Sequence, residues 1–163
     1  MSYTIKDLEK YGYETFNTTI SQRHPEWTIT STTDFDSEEP TFTHYDVDVT
    51  TDDNQHYEVE IKTRMNYTLD SFDDLQIDET KVKWLQDDIV HGKCDRAFLC
   101  GIYPIDGEMV MWEIHSKLHY QGQKSYRPKQ SVEQETIEYV LKSVVSFPIN
   151  GGKRIKIHKQ DEQ

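Results

Sequence analysis

An α/β domain, with a central mixed β-sheet flanked by helices, is the fold class that three stretches of this sequence predict. From Ile5 to Ile20, apolar residues (Ile5, Leu8, Tyr11 or Gly12, Phe16, Ile20) recur at helical intervals, the mark of an amphipathic helix. His44–Val49 and Tyr57–Thr63 alternate apolar and polar residues strictly, as paired strands do. Beyond a second helical pattern, Ala97–Tyr103 is an almost unbroken apolar run, whose length and flanks suit a strand buried on both faces.

Each element has its local cause. Thr4 can cap a helix that begins near Ile5. Gly12 inside that helix costs about 1 kcal/mol relative to alanine. Pro25 ends it, because proline disfavours helical geometry at His24. Trp27–Thr32 is rich in β-formers and reads as a strand. Asp34–Pro40 is an acidic loop, and the polar turn Thr50–Gln55 joins two strands, near 43–50 and 56–63, into a hairpin. Residues 70–78 read as a surface loop that packs Phe72 and Leu75 on the core. Asp78 then caps a helix through Lys81, Val82, Leu85 and Ile89, with Gly92 as its stop. Ala97–Tyr103 and a strand near 109–115 pair across the turn Pro104–Gly107. After a polar loop, Ser131 starts a last helix with Val132, Thr136, Ile137, Val140, Leu141 and Val144 on its apolar side, ended by Phe147-Pro148. Residues 1–150 form a single domain, and 151–163 a basic tail or short edge strand.

Composition narrows the function classes. A chain of 163 residues is long enough to bury a core, and 12% aromatic residues argue against disorder. No apolar run approaches the ~20 residues that span a bilayer, and the opening Met-Ser-Tyr-Thr-Ile-Lys-Asp lacks the apolar centre of a signal peptide. Cys94 and Cys100 are the only cysteines and have no metal-type spacing, which suits free thiols in the cytoplasm. The net charge of −12 weighs against a nucleic-acid partner, since phosphate contacts recruit Lys and Arg. The charge is unevenly spread: residues 1–80 hold 19 acidic and 5 basic side chains, whereas residues 109–160 hold 4 and 9.

The hairpin carries the chemistry. Its polar face presents Asp46, Asp48, Glu58, Glu60 and Lys62. Neighbouring carboxylates repel unless they splay into solvent or a cation holds them together. Hard oxygen ligands suit Mg²⁺ or Mn²⁺, which take one or two carboxylates and leave the rest of the shell to water and substrate phosphates. A lysine two residues beyond a metal-binding glutamate lies where it can orient water or steady charge on a phosphoryl oxygen. A hairpin with one apolar and one charged face is also what any solvated antiparallel sheet looks like.

Asp46 followed by Glu60-Ile61-Lys62 resembles the D…(D/E)-x-K signature of the PD-(D/E)XK nuclease superfamily, over roughly residues 5–115. The 14-residue interval suits that family's second and third core strands; Tyr45 stands where the family often has proline. The resemblance implies a restriction-endonuclease-like sheet and Mg²⁺-dependent hydrolysis of phosphodiester bonds, with DNA as partner. It implies Asp46 and Glu60 as metal ligands, the Ile61 carbonyl as a further one and Lys62 as the water-positioning group. Asp48 is the fallback for Asp46, and Glu14 on the first helix matches the extra acid of many members. Arg64 and Tyr67 fall where the family often contacts substrate, and Lys81 where a helix lysine can face the metal or the substrate.

In the C-terminal third, Lys117, Lys124, Arg127 and Lys129 mix with Tyr126 and glutamines, a pattern that can grip a nucleic-acid backbone or form an ordinary polar loop. Many relatives are dimers, which makes a homodimer a further expectation. Two alternatives stand beside the nuclease: a non-catalytic module of the same fold that binds a protein partner, and an acidic mimic of nucleic acid.

Overall fold

The computed structural model describes residues 4–38, 43–128 and 139–158, and every structural statement below concerns these. They form a mixed α/β structure. The chain opens with helix α1 (Ile5–Arg23), then strands β1 (Thr28–Ser31), β2 (Val47–Thr50), β3 (His56–Thr63) and β4 (Asp74–Asp78). Helix α2 (Glu79–Val90) follows, then β5 (Arg96–Tyr103), β6 (Glu108–Ile114), β7 (Gln123–Pro128), β8 (Tyr139–Pro148) and β9 (Lys153–Lys156). No helix among the described residues is long and apolar enough to cross a membrane.

A six-stranded sheet in the order β1-β2-β3-β5-β6-β9 forms the centre. β3 and β5 pair in parallel, whereas the other neighbours are antiparallel. A parallel neighbour needs a crossover, and β4 and α2 supply it. The second sheet, β4-β8-β7, is antiparallel throughout. The two faces of the large sheet bury different cores. Tyr57, Val59, Ile102 and Met109 meet Phe16 and Ile20 of α1 on one face. Leu99, Val110, Trp112 and Ile114 meet Val82 and Leu85 of α2, with Leu75, Ile77, Val145 and Phe147 of the small sheet, on the other.

α1 begins where its sequence places it. Thr4 and Asp7 form a reciprocal capping box, each side chain accepting from the other's backbone N–H. Gly12 is where this helix closes on the sheet: a Cβ there would stand 2.7 Å from Thr63 Oγ1 and 3.0 Å from Ile61 Cγ2. The propensity lost at Gly12 is thus offset by packing against the strand that carries Glu60 and Lys62.

Three expectations are corrected. Residues 74–78 form β4 rather than part of a loop, and Leu75 is buried while Phe72 is exposed instead of packed on the core. Residues 123–128 form β7 in the stretch read as a polar loop. Tyr139–Pro148 is strand β8, not the end of a helix; the rest of that expected helix, 131–138, lies outside the described residues. A short apolar run satisfies either period, and here Val140, Val144 and Val145 favour the strand. β8 also finds pairing partners on both edges, β4 and β7. Of the two readings for the basic C-terminal segment, 153–156 takes the edge strand, paired with β6.

Candidate active site

β2 pairs with β3 from Val47, opposite Val59, and Asp46 stands just before it, at the Glu60–Ile61 end of the hairpin. Asp46 is held from three sides. Its N–H donates to the Val59 carbonyl at 2.9 Å, its carbonyl accepts from Thr32 N–H at 3.0 Å, and its Oδ2 accepts from Ile61 N–H at 2.7 Å. Glu60 is 1% exposed because α2 and the small sheet cover this face of β3. Lys81, from the first turn of α2, donates to Glu60 Oε1 at 2.5 Å, and Lys62 Nζ lies 3.4 Å from the same oxygen. Asp46, Glu60, Lys62, Lys81, Glu9 and Arg64 border one cavity of about 320 Å³.

The electrostatics follow from burial. Asp46 is pushed up to about 7 by loss of solvent and then by the Glu60 charge, against the Ile61 N–H, Lys81 and Lys62. Burial pulls Lys81 down, but the charge and hydrogen bond of Glu60, with Asp46 behind it, outweigh this and raise it. Glu9 at the cavity rim is raised by burial, with Lys81 opposing and Glu60 reinforcing the shift.

The expected cluster of four carboxylates divides in two. Asp48 is not at the cavity. Its Oδ1 accepts from Tyr45 Oη at 2.7 Å and faces His56 Nε2 at 2.6 Å, while His56 Nδ1 meets the Lys93 carbonyl at 2.8 Å. Both ring nitrogens of His56 face acceptors, which suits the imidazolium; burial lowers its pKa, but these partners raise it overall. Asp48 is therefore engaged with Tyr45 and His56, away from the cavity. Glu58, beside it, is 2% exposed with Oε2 unpartnered. Burial, then the neighbouring Asp88, pushes Glu58 up to about 7.

Glu14 is likewise placed away from the cavity. It is exposed and does not line the cavity, whereas Glu9 does. Five residues separate the two, about 140° around a helix of 3.6 residues per turn. Glu9 instead lies one turn before Gly12, on the row that touches β3. That helical glycine, read as a point of close approach, was the signal in the sequence.

The residues expected to bind nucleic acid separate similarly. Arg64 borders the carboxylate cavity, and Arg64, Tyr67 and Arg127 meet at a second one. Lys81 is engaged by Glu60. Lys117 and Lys124 are exposed and border neither cavity, and Lys129 lies outside the described residues.

The donor set fits a hard divalent cation. Glu60 Oε2 is buried without a hydrogen-bond partner, beside the Asp46 carboxylate. In a strand the N–H and C=O of one residue point to the same edge, so the Ile61 carbonyl faces the edge at which its N–H meets Asp46. Among the described residues no three His, Cys, Asp or Glu side chains stand together as a metal cage. Two carboxylates and a carbonyl suit Mg²⁺, which keeps several waters.

A pH dependence follows from the raised carboxyls. A group whose pKa is higher folded than unfolded contributes stability below its unfolded value and loses it as pH rises through the folded one. Asp46, Glu58 and His56 all act in this sense. Metal-free protein should therefore be roughly 2–4 kcal/mol less stable at pH 8.5 than at pH 5.5. Urea unfolding at the two pH values measures the difference, and Glu58→Gln should reduce it.

Comparison of the chain with protein-family models, with curated proteins and with solved structures finds no match.

Proposed function

We propose that this protein is a Mg²⁺- or Mn²⁺-dependent nuclease that hydrolyses phosphodiester bonds in DNA, on the plan of the PD-(D/E)XK enzymes. One observation carries the reading: Asp46, just before β2, and Glu60 and Lys62 of β3 border the same cavity. The strand order, with β3 and β5 parallel at the centre of a mixed sheet, supports it. Two buried free thiols, Cys94 and Cys100, suit the cytoplasm as its compartment.

Asp46, Glu60 and the Ile61 carbonyl would hold the cation, which when bound polarises a phosphoryl oxygen. The chain's own groups do the rest. Lys81 fixes the Glu60 carboxylate through Oε1 and leaves Oε2 free. Lys62 points an ammonium into the cavity, where its N–H groups can orient the attacking water and stabilise charge on a non-bridging oxygen. The water oxygen bonds to phosphorus and releases one proton to solvent, one bridging P–O bond breaks, and the leaving oxygen takes a proton from a solvent water.

The test is cleavage of linear, circular, branched and single-stranded DNA by the purified protein. Cutting is expected with Mg²⁺ or Mn²⁺ and none with EDTA. No cutting of any of the four substrates would remove the enzymatic reading and leave the protein-binding module of the same fold.

A further inference from the structure

Beyond Arg64 the chain builds a second cavity of about 450 Å³, within the range of small-ligand sites. Arg64 borders both cavities. Its backbone is fixed at the end of β3, where its N–H donates to the Ile102 carbonyl of β5 at 2.8 Å. Arg127 arrives from β7, on the small sheet, opposite Val140 of β8. Two distant parts of the chain thus bring two guanidiniums to one place.

Neither guanidinium has a carboxylate partner among the described residues, although the chain carries 30 acidic side chains. Asp74, the one acid of the lining, forms an ion pair with neither. Burial holds Arg64 below its ordinary pKa, and the positive charge of Arg127 acts in the same direction. Arg127 gives one N–H to Gln76 Oε1, but its Nε is buried with no acceptor. A buried donor without a partner is destabilising until an acceptor reaches it. Two like charges, close together and lacking an anion, are an arrangement that a bound phosphate would complete by charge-assisted hydrogen bonds.

The rest of the lining suits the other half of a nucleotide. Tyr67 is 45% and Phe72 59% exposed, with ring centroids 5.2 Å apart at 66°. Exposed aromatic rings beside arginines are what stacks nucleobases of single strands without reading their sequence. The position is also apt. Lys62 and Arg64 are two residues apart, at most about 7 Å along the backbone, which sets a phosphate on Arg64 close to one at the carboxylates.

We propose that this cavity is a nucleotide subsite, in which Arg64 and Arg127 grip a phosphate and Tyr67 stacks its base beside Phe72. In placing that nucleotide on a nucleic-acid strand the proposal rests on the nuclease reading; in binding a nucleotide it does not.

The experiment is titration of the full chain in EDTA with deoxyadenosine 5′-monophosphate, inorganic phosphate and a single-stranded oligonucleotide, followed by calorimetry and by amide chemical shifts. Shifts should fall on residues 64–76 and 123–127. Arg64→Gln and Arg127→Gln should each weaken nucleotide binding at least tenfold. Tyr67→Ala should weaken the nucleotide and spare inorganic phosphate. An oligonucleotide bound more tightly, with the same arginine dependence, identifies a strand as the ligand; equal affinity identifies the free nucleotide. Absence of binding, shifts confined elsewhere, or arginine variants that bind as wild type would overturn the proposal. EDTA suppresses cleavage, so a failed nuclease assay and a failed titration report on different cavities.

Discussion

Lys62→Ala should lower the rate of DNA cleavage by roughly 10²–10⁴-fold, the range for removing a positioned proton donor or a preorganised charge. Its fold should survive. Lys62 lies near the end of β3 with its ammonium at the cavity, and the side chain contributes to neither apolar core. Glu60 keeps its stronger partner Lys81, at 2.5 Å against 3.4 Å for Lys62. Circular dichroism and the urea midpoint should therefore stay close to wild type while cutting is lost. Cleavage at the wild-type rate would remove Lys62 from the mechanism.

Lys81→Met should have the larger effect on stability. Glu60 is 1% exposed, and without Lys81 it keeps only the longer contact to Lys62. Removing one partner of a buried pair costs about 3–5 kcal/mol. The Lys81 side chain is 27% exposed, so solvent screens part of the interaction, and about 2–3 kcal/mol is expected. In the same variant Mg²⁺ should stabilise the protein more than it does wild type, because the cation replaces a missing positive charge beside Asp46 and Glu60. Urea unfolding with and without saturating Mg²⁺ reads both quantities. Unchanged stability, or an equal Mg²⁺ increment in the two proteins, would contradict the assigned geometry.

The sequence made the hairpin and its motif legible because strict alternation and a polar turn determine register, and register brings Asp46 to the Glu60–Ile61 end of the hairpin. It did not reveal that Glu58 and Glu60 are buried. That depends on α2 and a second sheet closing over a face that looked solvated, and β4 and β8 of that sheet come from stretches read as loop and helix. Val140 and Val144 favour a strand by propensity although their spacing also fits a helical face, and pairing with β4 and β7 decides between the two. Asp48 looked equivalent to Asp46 by alternation, yet Tyr45 and His56 draw it into a separate pair. Glu9 escaped notice because it borders the apolar stripe, while Glu14 matched a family pattern that this helix does not present to the cavity. Arg127 was noticed as one cation in a basic stretch. Its meeting with Arg64 arises from the tertiary fold, which no local pattern encodes.

Asp46, Glu60 and the Ile61 carbonyl are proposed to form one divalent-cation site. Calorimetric titration of Mn²⁺ at pH 8, where Asp46 is ionised, tests it most directly. A single site is expected in wild type, lost or weakened at least tenfold in Asp46→Asn and in Glu60→Gln, and retained in Asp48→Asn. No binding to wild type, or binding that survives both substitutions while Asp48→Asn abolishes it, would contradict the account.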